Sequence, residues 1–315
     1  MLATLFSLLS AIALVRGGAY SIEDTYDGSS VFDKFDFFTG NDPTNGYVNY
    51  VSKSTAQNND LVQVSGSNFT LRADDQSVPS ATARGRDSVR ISSQKSYSTH
   101  VSIYNVDHMP KGCGTWPAIW EVGSNWPNNG EIDIVEGVNL ATHNTVSLHT
   151  GAGCTVSGNR NGIMKGTALS NNCVSGPDGN TGCNVELESD DHTFGHPFNA
   201  NGGGIYAMER DSAGIKVWFW ARNDTKVPDE VINGADNIDT STWGQPHANF
   251  PSTDCDINEH FGQHNIVINL TFCGDLAGSQ YASSGCPSTC NAFVQNNPDE
   301  FSWAYFAFMW IKVYS

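Results

Sequence analysis

The stretch Glu131-Ile132-Asp133-Ile134-Val135-Glu136 interleaves acidic residues with β-branched apolar residues. It follows Trp126-Pro127-Asn128-Asn129-Gly130, a run rich in turn-forming residues. β-branched residues favour a strand, whereas Asp and Glu are depleted in strands. Local conflicts of this kind often mark functional sites. We therefore expect a strand here that carries a site.

The order of residues in this strand predicts an irregularity. In an extended strand, residues 131, 133 and 135 share one face and residues 132, 134 and 136 share the other. Glu136 would then lie among apolar residues, which is costly for a carboxylate. One extra residue, a β-bulge, returns Glu136 to the face of Glu131 and Asp133, and bulges are over-represented beside active sites. We predict such a bulge.

The spacing of the two glutamates suits glycoside hydrolysis. About four extended residues between Glu131 and Glu136 correspond to roughly 13 Å between their Cα atoms. Side chains that lean together bring the carboxyl groups to about 5–5.5 Å, the separation used by retaining glycosidases. The wider separation of inverting enzymes, about 6.5–9.5 Å, stays open on this arithmetic.

The segment Gly130–Gly137 resembles the signature of glycoside hydrolase family 16, in the bulged E-x-D-x-x-E form of laminarinases rather than the E-x-D-x-E form of lichenases. Other parts of the chain also resemble that family, and they follow in the same order: Gly85–Ile91, Gly114–Trp120, Trp126-Pro127, Ser147–Thr150 and the closing run Ala304–Tyr314. The resemblance spans essentially the whole mature chain and is closest to fungal endo-1,3(4)-β-glucanases.

This resemblance implies an all-β fold, a concanavalin A-like β-jelly-roll sandwich with a concave substrate cleft. It also implies a retaining, double-displacement mechanism. By position, Glu131 would be the nucleophile and Glu136 the acid/base, while Asp133 would hydrogen-bond the nucleophile and tune its charge. The rival interpretation of the three acids is a solvated edge or a calcium site, and the flanking motifs weigh against it.

Four tryptophans are candidate sugar platforms, because sugars present apolar C–H patches to aromatic faces. Trp126 lies five residues before Glu131 beside a turn and is the best candidate. Trp116 and Trp120 share strand parity and resemble cleft tryptophans of the family, although Trp120 is equally suited to the core. Trp243, in a loop, could cap the sugar nearest the nucleophile or belong to the core.

Two further side chains are candidates for substrate contacts. His149 is predicted on the strand after the acidic one, where it could hydrogen-bond a sugar or bias Glu136. A purely structural role is the alternative for a lone strand histidine. Arg90 offers several N–H donors for sugar hydroxyls, with solvation or salt bridging as the alternative.

Residues 1–19 are predicted to be a secretory signal peptide, cut after Ala19. The apolar run Leu2–Val15 is too short to cross a bilayer, and the small residues Gly17-Gly18-Ala19 follow it. The segment before the apolar run lacks Lys and Arg, which departs from the usual pattern, and a retained N-terminal anchor is the alternative. Residues 20–315 are predicted to form a single catalytic domain.

The cysteines agree with secretion. Eight cysteines allow up to four disulfides in an oxidising compartment, and 105 pairings are possible. Zinc binding is a weak alternative, because paired C-x-x-C units are lacking. Asn68, Asn223 and Asn269 begin N-glycosylation sequons, of which some should be empty because Asn269 lies in an apolar run.

Charge narrows the partners. A net charge of −17 disfavours nucleic acid and anionic membranes as partners. It also disfavours sulphated or uronic polysaccharides, so a neutral β-glucan is the better substrate. We expect a secreted, extracellular monomer that needs no cofactor, since acid/base chemistry and a carboxylate nucleophile suffice. No EF-hand-like spacing supports a structural calcium ion.

Short β-rich runs separated by turn-rich spacers predict an all-β sandwich with only short helices. The predicted strands are Tyr47–Val51, Phe69–Ala73, Val89–Ser92, His100–Tyr104, Thr145–His149, Ile205–Glu209, Ile215–Ala221, Asn265–Phe272 and, as a buried central strand, Phe301–Ile311. Two long spacers, 151–203 and 222–264, are expected to be held by disulfides as ordered walls of the cleft.

Three functions are compatible with this sequence. The first is a secreted endo-β-glucanase acting on β-1,3-glucans, with mixed β-1,3/1,4 and β-1,6-branched glucans left open. The second is a cell-wall transglycosylase that uses the same covalent intermediate with a sugar acceptor. The third is a non-catalytic glucan-binding lectin, which has no need of the carboxylates at 131, 133 and 136.

Overall fold

The computed structural model describes residues 18–176 and 181–315. Residues 1–17, most of the predicted signal peptide, lie outside this description. The described chain is predominantly β-structure. Its strands are β1 (Ala19–Tyr26), β2 (Phe35–Phe37), β3 (Val48–Tyr50), β4 (Val62–Ser65), β5 (Asn68–Arg72), β6 (Arg86–Ser88), β7 (Arg90–Tyr97), β8 (His100–His108), β9 (Thr115–Gly123), β10 (Glu131–Glu136), β11 (Thr145–His149), β12 (Thr167–Ala168), β13 (Cys183–Glu186), β14 (Gly204–Asp211), β15 (Gly214–Ala221), β16 (Asn237–Asp239), β17 (Ala248–Pro251), β18 (His264–Phe272) and β19 (Tyr305–Tyr314).

The helices are short, as expected. The α-helices in the described residues are α1 (Val31–Lys34), α2 (Lys53–Asn58), α3 (Gly195–Ala200), α4 (Asp229–Ile232), α5 (Ile257–His260) and α6 (Cys290–Asn296). Single turns of 3₁₀-helix occupy Gly28–Ser30, Thr240–Thr242, Ala282–Ser284 and Pro298–Phe301, and a π-turn spans Gly274–Gly278. No helix in the described parts of the chain is long and apolar enough to cross a bilayer.

Two large antiparallel sheets form a sandwich. Within the described residues, one sheet has eight strands in the order β12-β13-β11-β10-β9-β18-β7-β2. The other has nine strands, with the path β16-β1-β19-β8-β14-β15-β17 and with β5 and β4 attached at β19. The jelly-roll class of fold is therefore confirmed. The acidic strand β10 lies inside the eight-stranded sheet, between β9 and β11.

The core lies between the sheets because each strand turns its alternate residues inward. Ile132, Ile134 and Val135 of β10 are fully buried and belong to one cluster with Tyr206 of β14 and Phe219 of β15. The other face of the eight-stranded sheet, which we call the outer face, is therefore the face on which the acidic residues lie.

Most predicted strands are present, with bounds shifted by a few residues. The prediction for Thr145–His149 matches β11 at both ends. The predicted last strand, Phe301–Ile311, is placed too early at both ends: Phe301 closes a 3₁₀ turn that begins at Pro298, and strand β19 runs from Tyr305 to Tyr314. Pro298 and the acidic pair after it favour a helical turn at that point.

The two long spacers are ordered and cross-linked. Spacer 151–203 contains β12, β13 and α3, and spacer 222–264 contains α4, β16, β17 and α5. Cys154–Cys255 joins one spacer to the other. The remaining disulfides are Cys113–Cys286, Cys173–Cys183 and Cys273–Cys290, so all eight cysteines are paired.

Candidate active site

The predicted bulge is present in β10. Asp133 pairs with Trp120 of β9, and Val135 pairs with the next residue, Ile119, so Ile134 is the extra residue. Directly paired residues share a face of the sheet. Glu131 lies opposite Val122 and Glu136 lies opposite Ala118, which puts both on the face that Asp133 shares with Trp120. The three carboxylates therefore line the outer face while the apolar residues between them fill the core.

A glycine makes the entry into this strand possible. Gly130 precedes Glu131 with φ +77°, and a Cβ there would lie 2.4 Å from the Phe261 ring. Glycine adopts positive φ without steric cost. The turn before it is also tied down, because the Asn129 carbonyl accepts hydrogen bonds from the Gly262 N–H at 3.0 Å and from His264 Nε2 at 2.7 Å.

Glu136 is held by an aromatic donor. Trp116 Nε1 donates to Glu136 Oε1 at 2.8 Å, so the sequence candidate Trp116 contacts the acid directly. Its indole ring is only partly buried and lies on the outer face of β9. Trp116 therefore joins the site as a neighbour of Glu136, and its role as a sugar platform stays a prediction.

Asp133 and His149 meet beside Glu131. His149 pairs with Glu131 across β10 and β11, and its Nε2 lies 3.1 Å from Asp133 Oδ2. That contact lacks hydrogen-bond alignment, so this oxygen has no hydrogen-bond partner although Asp133 is only 4% exposed. The other ring nitrogen, Nδ1, lies 2.8 Å from Ser175 Oγ, which orients the imidazole. Nothing in the sequence around Ser175, in a turn-rich spacer, marks it as a partner.

Burial raises the pKa of all three carboxyl groups. Burial and then the charge of Asp133 raise the pKa of Glu131 to about 8, while His149 acts in the opposite direction. Burial and the Glu136 charge hold the pKa of Asp133 well above its ordinary value. Burial raises the pKa of Glu136 as well, against the opposing Trp116 donor. The trio therefore retains at least one proton in mildly acidic solution, which acid catalysis requires.

The same groups offer ligands to a cation. One donor atom each from Glu131, Asp133 and His149 lie within 4.8 Å of one another. Carboxylate and imidazole donors suit several divalent metals. The arrangement is thus compatible with acid/base chemistry and with capture of a divalent ion, and an activity assay has to distinguish the two.

Trp126 is exposed and lies beside Glu131, as expected for a residue that stacks on a sugar ring. Its side chain is 52% exposed, and it acts on Glu131 as a hydrogen-bond donor that lowers the carboxyl pKa. An exposed indole this close to a carboxylate offers an apolar face to a sugar beside the reacting groups. Trp126 therefore belongs to the candidate site.

Trp120 and Arg90 form a second part of the outer face. Trp120 Nε1 donates to Asn269 Oδ1 at 2.7 Å. The Arg90 guanidinium lies between two rings, 4.9 Å from the Trp120 centroid and 4.8 Å from that of Phe38. Such stacking fixes the planar guanidinium and leaves its edge to donate. Both residues are partly buried on this face. Trp120 lies on β9, next to the acidic strand β10, and Arg90 lies on β7, two strands beyond β9.

Trp243 does not join the other site residues, and the suggestion that it caps a sugar needs correction. It is 5% exposed, packs edge-to-face on Trp218 and Trp220 of β15, and donates from Nε1 to Glu230. Trp218 and Trp220 have the parity opposite to Phe219, which faces the core between the sheets. Trp243 therefore covers the far side of the nine-stranded sheet, and we remove it from the candidate site.

The sequons differ in accessibility. Asn223 is exposed, whereas Asn269 is 8% exposed and hydrogen-bonds through its amide to Trp120 and the Tyr50 hydroxyl. A glycan would have to be attached to the buried Nδ2 of Asn269, the atom that donates to the Tyr50 hydroxyl. Asn269 thus acts as a structural partner of the site, a role that the sequon pattern had hidden.

A scan against family models matches residues 35–314 to the XgeA-like catalytic GH16 domain. Among curated proteins, a probable glycosidase of Schizosaccharomyces pombe is 43% identical over 95% of this chain and 70% of its own length. A probable endo-1,3(4)-beta-glucanase of Aspergillus fumigatus is 41% identical over 98% of this chain. The chain spans about half the length of that Aspergillus relative, 48%.

Solved structures agree with the fold. GH16 laminarinase 16A from Phanerochaete chrysosporium, with beta-glucans in donor and acceptor sites, superposes with a TM-score of 0.92 at 48% identity, covering 94% of this chain and 100% of that one. An elongating GH family 16 beta-1,3-glucosyltransferase superposes with a TM-score of 0.87 at 38% identity, also covering 94% and 100%.

Proposed function

Because the chain belongs to glycoside hydrolase family 16, we propose that it is a secreted, retaining endo-β-glucanase that cleaves β-1,3-linked glucans. The observation that carries this proposal is the bulge at Ile134, which gathers Glu131, Asp133 and Glu136 on one face of the sheet. Each of the three has a place in a double displacement, and a lectin would need none of them in this arrangement.

In the first step, a Glu131 carboxylate oxygen attacks the anomeric carbon and forms a covalent glycosyl ester. The bond from that carbon to the glycosidic oxygen breaks, and Glu136 delivers its proton to the departing oxygen. Glu136 suits this role because Trp116 Nε1, at 2.8 Å, fixes the carboxyl and burial raises its pKa. The pKa of Glu131 is raised as well, to about 8, so the reacting species is the form of the trio in which Glu131 is the anion and Glu136 holds a proton.

In the second step, Glu136 is a carboxylate and accepts a proton from water, whose oxygen attacks the anomeric carbon. The ester bond breaks, Glu131 leaves as a carboxylate, and the product keeps the β-configuration because two inversions have occurred. Both residues return to their starting protonation states, so the cycle balances.

Asp133 and His149 support the nucleophile. Asp133 is buried and lies between the two glutamates in the sequence, and its pKa is raised. In its protonated form it would donate a hydrogen bond to Glu131 when Glu131 is an anion. Three interacting carboxyls titrate as a unit, so the retained protons belong to the group. His149, held through Ser175, lies 3.1 Å from Asp133 and opposes the raised pKa values of Glu131 and Glu136.

The substrate assignment rests on charge, aromatic surface and relatives. The net charge of −17 repels polyanionic glycans, and Trp126 with the Trp120–Arg90 pair offers apolar faces with donors beside them. The similar proteins include a laminarinase that binds beta-glucans. A neutral β-1,3-glucan satisfies all three. Secretion fits the four disulfides, and the predicted cut after Ala19 is checked by N-terminal sequencing of protein from the medium.

The first experiment is product analysis. The protein is incubated with laminarin, lichenan and cellulose, in buffer with and without EDTA, and products are followed by chromatography and by NMR before mutarotation. We expect short β-configured oligosaccharides from laminarin, unaffected by EDTA. Initial α-configured products would exclude the retaining mechanism, and binding without cleavage would support the lectin alternative.

The two glutamate roles are separated with azide as an external nucleophile. In Glu131→Ala, azide replaces the missing carboxylate and one inversion gives an α-glycosyl azide from an activated β-substrate. In Glu136→Ala, the glycosyl ester still forms and azide attacks it, which gives a β-glycosyl azide. Exchanged products would reverse the roles, and Glu188→Gln, an exposed acid outside the site, is the control that keeps full activity.

A second function, transglycosylation, has one specific observation in its favour: the superposition on an elongating beta-1,3-glucosyltransferase. It uses the same first step with a sugar hydroxyl in place of water. Size analysis of laminarioligosaccharide products decides between them. Longer products without a net gain in reducing ends would favour the transferase over the hydrolase.

A further inference from the structure

The bulge in β10 creates a backbone problem beside Glu136. Strand β11 pairs with β10 only at Glu131, Ile132 and Asp133. Beyond Asp133, the chain on that side is the connection that runs from residue 137 to residue 144. The carbonyl of Ile134 and the N–H of Glu136 therefore lack a strand partner there, and buried backbone groups need one.

The side chain of Asn144 supplies both bonds. Its Nδ2 donates to the Ile134 carbonyl at 2.8 Å, and its Oδ1 accepts from the Glu136 N–H at 2.8 Å. Asn144 is fully buried. A carboxamide has the donor and acceptor of a peptide group, and bonding to residues i and i+2 is the pattern of a neighbouring parallel strand. The side chain thus replaces a missing strand at this point.

Asn144 is itself fixed from both ends of its backbone. Its N–H donates to Thr193 Oγ1 at 3.0 Å, and its carbonyl accepts from the Leu187 N–H at 2.9 Å. Thr193 is fully buried, and its carbonyl accepts a hydrogen bond from the Tyr206 hydroxyl of β14 in the opposite sheet. The carboxamide is therefore anchored through the core rather than attached to a mobile loop.

We propose that Asn144 is a positioning residue for Glu136, setting the backbone from which the acid/base carboxyl projects. This inference rests on the proposed function of Glu136. Trp116 holds the carboxyl end of Glu136 and Asn144 holds its backbone, so the residue is fixed at two points. Loss of the second point lets Glu136 shift relative to the glycosidic oxygen.

The test separates proton donation from general damage by changing the leaving group. A sugar leaving group needs the proton of Glu136, whereas 2,4-dinitrophenolate departs without one. The parameter is kcat/KM, which reports the steps up to the glycosyl ester. For Asn144→Ala we expect about a 10–100-fold loss on laminaritetraose, the scale of a misplacement near 1 Å. On 2,4-dinitrophenyl β-laminaribioside we expect less than about a threefold loss, because glycosylation then needs no acid.

Asn139→Ala is the matched control. Asn139 lies in the same connection, is buried, accepts from the Gly114 N–H and donates to the Ala277 carbonyl, both at 2.9 Å, but bonds nothing in β10. Asn139→Ala therefore removes a buried carboxamide that makes two hydrogen bonds in the same connection. It costs additional stability because Asn139 has φ +54°, a conformation that alanine adopts less readily than asparagine. We expect lowered thermal stability in both variants and substrate-selective loss only in Asn144→Ala. Equal losses on the two substrates for Asn144→Ala would overturn the inference.

Glu136→Ala is the benchmark that keeps the two proposals distinguishable. If Glu136→Ala itself shows no leaving-group selectivity, the proposed acid/base role fails. If Glu136→Ala shows leaving-group selectivity and Asn144→Ala does not, only the inference about Asn144 fails. Should Asn144→Ala not fold, Thr193→Val removes only the hydroxyl that holds the Asn144 N–H. It must then show the same selectivity at about 3–10-fold, the scale of one hydrogen bond, and a uniform effect there would equally overturn the inference.

Discussion

At the scale of single residues, the site is a set of acids whose environment favours the protonated form. Glu131 and Asp133 are close, Asp133 is nearly inaccessible to water, and Glu136 adds its charge to both. Like charges in a buried cluster push apparent pKa values upward and apart. The arrangement lowers the stability of the folded protein once the acids ionise, and it keeps a carboxyl protonated for use as an acid.

Glu131→Gln should therefore stabilise the protein at high pH. The folded-state pKa of Glu131, about 8, exceeds its ordinary value of 4.5. The folded protein thus binds this proton more tightly than the unfolded chain, a contribution that is complete below pH 4.5 and is lost as pH rises toward 8. Glutamine does not ionise, so the Tm of the variant should gain on that of wild type between pH 5 and pH 8.

The gain is measured by calorimetry across that range. One pKa unit corresponds to about 1.4 kcal/mol, and 1 kcal/mol to about 2–4 °C in a domain of this size class, so the difference should change by several degrees. Glu188→Gln, at an exposed acid, should show a constant difference. A constant difference for Glu131→Gln as well would contradict the raised pKa.

Two tryptophans should respond in opposite ways to substitution. Trp126 is exposed beside Glu131, and burying roughly 50 Å² of ring against a sugar is worth about 1 kcal/mol. Trp126→Ala should raise KM for laminarin about fivefold with little change in Tm. Trp243→Phe should lower Tm, because Trp243 is buried and bonded to Glu230, and should leave KM unchanged. A KM effect from Trp243 would restore its predicted role at the sugar.

At the scale of elements, the decisive feature is the single extra residue in β10. Pairing with β9 is regular on both sides of Ile134, with Asp133 opposite Trp120 and Val135 opposite Ile119. Because side chains alternate along a strand, each added or removed residue exchanges the two faces downstream unless a bulge absorbs it. The bulge lets a six-residue strand carry three acids outward and three apolar residues inward.

Deletion of Ile134 should be tolerated better than insertion at the same place. After the deletion, the strand reads Glu-Ile-Asp-Val-Glu, in which acidic and apolar residues alternate strictly. Glu136 still lies opposite Ala118 and faces outward. We expect a folded protein that is less stable by at least about 2–5 kcal/mol, the cost of one buried Ile side chain. The deletion also removes the Ile134 carbonyl that Asn144 bonds, so laminarin hydrolysis should be reduced but measurable.

Insertion of alanine between Val135 and Glu136 turns Glu136 toward the core. We expect it to lose about 10²–10⁴-fold in activity, the scale of a missing acid catalyst, together with a large part of its stability. The two variants are compared by laminarin hydrolysis and thermal unfolding. More activity in the insertion than in the deletion would refute the alternation argument.

At the scale of the whole molecule, the outer face of the eight-stranded sheet is bordered by two spacers that a disulfide joins. Cys154 and Cys255 are 101 residues apart in sequence, so the bond closes a long loop of the unfolded chain. Ser175 of the first spacer hydrogen-bonds His149, and the Gly262 N–H of the second donates to the Asn129 carbonyl in the turn that follows Trp126. The cross-link therefore supports both sides of the site.

Replacing both Cys154 and Cys255 by serine should destabilise the protein by about 2–5 kcal/mol, the usual loss for a native disulfide. The matched control is the double serine variant of Cys173 and Cys183. The Cys173–Cys183 disulfide closes a loop of only 10 residues, so its removal should lower the free energy of unfolding by less, since loop-closure entropy grows with loop length. Thermal unfolding of both variants checks the order, and a larger loss from the short loop would contradict it.

Much of the site was predictable because its information is local. Strand alternation and the conflict between Glu136 and the apolar residues around it indicated the bulge, and the bulge placed three acids on one face. The shared face of Trp116 and Trp120 followed from the same alternation, whereas their place beside the acids and that of His149 were predicted from the family resemblance. Contacts between distant segments were not predictable in this way, as Trp243 shows: its loop folds over the far sheet.

The sequence by itself determined the acidic strand and its irregularity, since both depend on the order of residues within one strand. The succession of short β-rich runs and turn-rich spacers indicated the sandwich. Only the tertiary structure decided which cysteines pair, why the Asn269 sequon is closed, and that Asn144 bonds Ile134 and Glu136. These depend on which segments approach in space, and polar side chains such as Asn carry no periodic signal that reveals their partners.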